Sequence, residues 1–150
     1  MNKRSEITHA GRMNVRRQAR DQVVGLSAQF LFGMAISLIG PPSQTTGAAH
    51  TVSSVLLGLH VLVGAALIAG AAVVVRAARD HERQRGLARW GAAAIVLTFG
   101  AGITTLITTS NWWSYAMAVG FIASLLVYVS LLVQTAGAAG RSREETARVP

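Results

Sequence analysis

The sequence predicts an all-α fold, a four-helix transmembrane bundle with both chain ends on the cytoplasmic side. Three observations predict it. Four windows free of charge, about 23–39, 51–75, 90–109 and 112–133, meet or approach the roughly 20 apolar residues that cross about 30 Å of hydrocarbon. All 14 Lys and Arg residues fall in three clusters, before the first window, between the second and third, and after the fourth. The remaining connections, Gly40 to His50 and Ser110 to Asn111, carry no charge. Basic loops beside a span stay on the cytoplasmic side, so the pattern sets the orientation as well as the spans.

Residues 1–21 form a basic cytoplasmic segment. They allow a short interfacial helix around Met13–Gln22 anchored by Val15, or disorder up to about Gly11. The first window is the shortest. It exceeds the 7–15 residue core of a secretory signal, although Gly47-Ala48-Ala49 offers small residues that a signal peptidase accepts. Phe30, Phe32 and Met34 suit a packed span, so it reads as a retained one. It ends at Gly40-Pro41-Pro42, where proline removes a backbone donor and blocks helical geometry before it.

The second span runs inward to Arg76 and Arg79, whose stems snorkel to the headgroups. Asp80–Leu87 is the cytoplasmic turn, and Trp90 marks the inner interface of the third span. The turn through Ser110 and Asn111 makes spans three and four antiparallel neighbours. Trp112, Trp113 and Tyr115 supply the outer aromatic belt. The bundle proper covers 22–134, and 135–150 is a cytoplasmic tail.

Composition excludes several classes. Charged residues are 13% of the chain, about half of ordinary usage. The net charge of +8 is carried by span-flanking residues, which serve topology and anionic headgroups rather than nucleic acid. No cysteine is present, which removes disulfides, thiolate metal sites and cysteine nucleophiles. The excess of Arg over Lys, with abundant Ala, Val and Gly, points to a high-GC bacterium and hence to the inner membrane. No phosphate loop, nucleophile elbow or metal-ligand motif occurs, so no catalytic residue and no metal site is assigned and the chain reads as a non-enzyme.

Small residues build helix contacts in lipid. They are densest in spans two and three, including Ala66 with Gly70 and Ala65 with Ala69. These spans are expected to be the most tightly packed pair, and the same faces suit a homo- or hetero-oligomer.

His60 is the one readily ionisable side chain well inside a span, roughly 13 Å deep at 1.5 Å per residue. Helical periodicity groups it with His50 and Ser53 on one stripe of span two. By depth, Thr104, Thr105 and Thr108 of span three join that polar cluster, and His60 is expected to face span three or four. Gln29 and Tyr128 are expected to pair across spans one and four. An intramembrane ionisable residue is a functional hypothesis because it is costly to bury. Two readings follow. One is a bundle without an active site, an accessory subunit or a small-molecule handling protein in which His60 is a structural hydrogen-bonding group and no cofactor is bound. The other is a b-type haem redox protein using His60, with Met117 or Met34 as the second axial ligand.

The span order, Leu59-His60 near the start of span two and the basic inner turn resemble one four-helix half of haem A synthase. That resemblance implies haem-ligating histidines in the outer half. In that family a histidine on the fourth helix of the half completes the site, and span four has none here.

Overall fold

The computed structural model describes residues 3–79, 82–108 and 111–147, with side chains from 14 to 137 within those ranges apart from Asn111. Four helices account for nearly all of them: α1 Lys3–Ile39, α2 Gly47–Ala77, α3 Glu82–Thr108 and α4 Asn111–Ala147. Four stretches are long and apolar enough to cross a membrane, one built on each helix: Asn14–Gln44, Gly47–Ala77, Glu82–Thr108 and Trp112–Gly137. Only 6% to 22% of the most apolar window of each is buried, so apolar side chains face outward. A bundle built for water arranges them the other way. The predicted all-α four-helix bundle is the fold observed, and it is that of a multi-pass membrane protein.

The helices outrun their spans. α1 is a single rod of 37 residues, about 55 Å long at 1.5 Å per residue. The segment expected as a separate surface helix around Met13–Gln22 is its continuous lower part. Val15 and Ala19 are fully buried and Gln22 is 5% exposed. The reason is periodicity. Val15, Ala19, Gln22 and Leu26 recur every three or four residues, which puts them on one face of one helix. α4 likewise runs on into the expected tail as far as Ala147, and Thr135 is buried with its hydroxyl donating to the Leu131 carbonyl at 3.0 Å. Residues 109 and 110, expected to close the third span and begin the outer turn, lie outside the described residues, as do 80 and 81 of the expected cytoplasmic turn.

The helices form a ring. α1 pairs extensively with α2, α3 with α4, and α1 closes on α4. The α2–α3 contact is the least extensive of the four helix pairs, which corrects the expectation that spans two and three pack tightest. Their glycines serve mainly within the two hairpins. A Cβ at Gly91 would stand 3.0 Å from Cε2 of Tyr128 on α4, and Gly70 receives the Gln22 amide of α1. Gly64, against Phe99 of α3, is the exception.

Close packing is concentrated at one end. Val15, Leu26, Val74, Ala88, Ile95, Tyr128 and Leu131 belong to one buried cluster. This is the end that carries exposed Arg16, Arg17, Arg76, Arg79, Arg83 and Arg89, hereafter the basic end. The opposite, loop end carries the Gly40–Thr46 connection. Trp90 near the basic end and Trp112 at the loop end are 74% and 75% exposed. By helix register they stand about 25 Å apart along the bundle, close to the roughly 30 Å of a hydrocarbon core.

Candidate functional site

The loop end is built first by its connection. Gly40 adopts φ 99°, a left-handed geometry that suits glycine at a helix C-terminus, and its N–H donates to the Ile36 carbonyl at 2.9 Å. Pro41 and Pro42 then turn the chain into a short 3-10 turn, Pro42–Gln44. Two side chains of α2 fasten it. Ser53 Oγ, fully buried, donates to the Gly40 carbonyl at 2.6 Å. His50 Nδ1–H donates to the Pro42 carbonyl at 2.9 Å.

Beneath this connection lies a cavity of about 690 Å³, within the roughly 300–1,000 Å³ of small-molecule pockets. Pro41 borders it on the loop side, and Leu26, Leu67, Ile95 and Ser124 border it toward the packed core. Small residues Gly33, Gly64, Gly102 and Ala118 stand among its lining. Phe30 and Phe121 stack across α1 and α4 at its wall, with ring centroids 5.3 Å apart. No Asp, Glu, Lys or Arg lines it among the described residues.

The polar groups in the wall divide into two sets. Thr98, Thr105 and Ser124 donate to carbonyls of their own helices, at 2.7 Å to Ala94, 2.9 Å to Ala101 and 2.8 Å to Gly120. Gln29 Oε1 and His60 Nδ1 are buried and have no hydrogen-bond partner in the protein. A buried polar atom left unpaired costs about 1–3 kcal/mol. The cavity thus presents an apolar interior, and these two polar atoms are closed off from it by their neighbours.

The structure sorts the sequence-predicted residues. His60, Met117, Met34 and Thr105 line this one cavity. His60 faces α1 rather than α3 or α4. A Cβ at Gly33 would stand 3.4 Å from its Cε1, and the ring interacts with the backbone of Gln29. The reason is space, because Gly33 leaves a seat for the imidazole. Met117 Sδ sits against Gly102 of α3, where a Cβ would be 3.3 Å away. Register through the two hairpins puts His60 and Met117 at the same level on diagonally opposite helices. Met34 is 46% exposed at the α1–α4 seam. The rest of the polar cluster is dispersed. His50 and Ser53 hold the connection, and Thr104 and Thr108 bond the Gly100 and Thr104 carbonyls of their own helix at 2.9 and 2.8 Å.

Gln29 and Tyr128 do not pair. Tyr128 is fully buried on Gly91 with its hydroxyl unpartnered, and the Gln29 amide lies beside Gly64 of α2. Sequence reasoning also missed the stripe Gln18, Gln22 and Gln29. The spacings of four and seven place them on one helical face, and all three side-chain oxygens are buried without a protein partner. That periodicity was the signal available.

No protein-family model matches the chain, and neither a curated protein nor a solved structure matches it. The resemblance to haem A synthase therefore rests on layout alone.

Proposed function

We propose that this chain is a non-enzymatic protein of the bacterial inner membrane that binds a small apolar molecule in its loop-end cavity. The basic end lies in the cytoplasm against anionic headgroups, as the distribution of Arg requires. One observation carries the reading: an apolar cavity of about 690 Å³, bordered by Phe30, Phe99, Phe121 and His60, with no Asp, Glu, Lys or Arg in its wall among the described residues. A ligand reaches it from the bilayer through the α1–α4 seam, where Phe30 is 49% and Ile122 is 56% exposed. An accessory role, with the α2 and α3 faces meeting another copy or a partner subunit, is compatible with this site.

Thermal unfolding of the detergent-solubilised protein with 4-decylphenol tests it. A ligand that binds the folded state raises Tm by mass action. The expected result is a saturable rise in the wild type that is lost in Ala118→Trp, which fills the cavity. No rise, or an equal rise in both proteins, contradicts the proposal.

A second reading is haem ligation. The observation favouring it is that His60 and Met117 line one cavity at one level, on opposite helices. Against it, no Lys or Arg among the described residues lines the cavity to meet two propionates. A reduced-minus-oxidised spectrum decides. Stoichiometric haem lost in His60→Ala supports ligation, and a featureless spectrum rejects it.

A further inference from the structure

Deepening that reading, and resting on its cavity, we infer that the bound molecule is a membrane phospholipid. One of its acyl chains lies along the cavity while its headgroup stays at the loop-end interface. The cavity has the length of such a chain. Its lining runs from Leu57 to Leu67 on α2 and from Leu106 to Ile95 on α3. Ten or eleven residues at 1.5 Å each make a slot of about 15 Å along the bundle, half of the roughly 30 Å of a hydrocarbon core. The cavity also has the right depth. Met117 sits against Gly102, so four residues toward the loop end on each antiparallel helix bring Leu106 level with Trp113, beside the exposed Trp112. Exposed Trp marks a membrane interface. The floor, formed by Leu26, Leu67 and Ile95, belongs to the packed core. The slot therefore covers one leaflet, from its interface to the bilayer centre, in the direction its chains run.

The wall selects hydrocarbon and ignores the headgroup. No Asp, Glu, Lys or Arg borders the cavity among the described residues. Thr98, Thr105 and Ser124 direct their hydroxyls to carbonyls of their own helices. Water in such a space lacks the two to four or so polar partners it needs, and an apolar cavity of about 150 Å³ stays dry yet takes up benzene or xenon. The slot, at about 690 Å³, is several times larger. A void forfeits contacts in proportion to its volume, so filling the whole length stabilises the bundle, and a chain does so where a compact solute does not. The supply is adjacent. Phe30 and Met34 of α1 and Ala118 and Ile122 of α4 line the cavity and are exposed along the α1–α4 seam.

Photocrosslinking of the full chain in nanodiscs tests the assignment. The probe is phosphatidylethanolamine with a diazirine at the end of one acyl chain, and labelled residues are mapped by mass spectrometry. Leu67 and Ile95, 6% and 4% exposed, are shielded from lipid at the bundle surface, so label on them reports a chain inside. Leu97, 73% exposed, reports surface lipid at nearly the same depth. All three should be labelled in the wild type. Ala118→Trp should lose the label on Leu67 and Ile95 and keep that on Leu97. If Ala118→Trp does not fold, excess 4-decylphenol on the wild type should remove the same two labels. The same chain carried on phosphatidylglycerol should give the same map. Label on Leu97 alone, with the Tm rise by 4-decylphenol intact, overturns the lipid assignment and leaves a site for small apolar solutes. Label on Leu97 alone with no such rise overturns the proposed function as well. Label on Leu67 and Ile95 that survives both Ala118→Trp and 4-decylphenol, or that is confined to one headgroup, also overturns the lipid assignment.

Discussion

His60 of α2 rests on Gly33 of α1, where a Cβ would stand 3.4 Å from the ring's Cε1 and 3.9 Å from its Nδ1. Gly33→Ala adds one carbon at ordinary contact distance and should be tolerated. Gly33→Leu overfills the seat, displaces the ring and should cost about 1–3 kcal/mol. Unfolding in detergent with increasing denaturant measures the difference. Equal stability of the two variants would show that the imidazole does not occupy this seat.

A contrast between two other glycines tests the hairpin packing. Gly91 is buried with Tyr128 and Val127 at 3.0–3.2 Å from a would-be Cβ, whereas Gly58 has nothing within 4 Å. Gly91→Leu should destabilise by about 1–3 kcal/mol through overpacking. Gly58→Ala should be neutral or stabilising by up to about 1 kcal/mol, the helix-propensity gain. Reversal of that order in the same assay would refute the α3–α4 register.

Tyr128 separates packing from hydrogen bonding. Its side chain is fully buried and its hydroxyl has no protein partner. Tyr128→Phe should therefore change stability by less than about 1 kcal/mol, because no protein hydrogen bond is broken. Tyr128→Ala should cost about 3–5 kcal/mol, the range for emptying an aromatic site. A large loss in the Phe variant would reveal a hydrogen bond at this hydroxyl.

Orientation has a direct test, made easy by the absence of cysteine. Ser43→Cys at the loop end and Gly86→Cys at the basic end both replace exposed residues. In intact spheroplasts a membrane-impermeant maleimide should label Ser43→Cys at once and Gly86→Cys only after lysis. The opposite pattern would invert the topology.

The fold was legible in the sequence because charge and apolar length are one-dimensional signals that a bilayer reads directly. The chain ends were less so. Val15 and Gln22 lie outside the apolar window yet are buried, because α1 continues unbroken and periodicity, not hydropathy, places them. His60, Met34 and Met117 were identifiable as candidates by residue type and depth. Their sharing one cavity was not, since it depends on which glycine notch receives each side chain. His50 and Ser53 share a stripe with His60 in sequence, yet they fasten the turn that Pro41 and Pro42 impose. Gln29 was visible as a polar residue. Its unpaired oxygen was not, because Tyr128 turns to Gly91 and away from it.

The central claim is that a small apolar molecule binds beside His60. The chain has four histidines, so ¹⁵N-histidine NMR in nanodiscs resolves each ring. Titration with 4-decylphenol should shift the His60 ring resonances saturably, while those of His50, held to the Pro42 carbonyl, stay in place. His60→Leu assigns the signal, and Ala118→Trp should abolish the shift. A His60 resonance that does not move, or four histidines that drift together without saturation, would contradict the account.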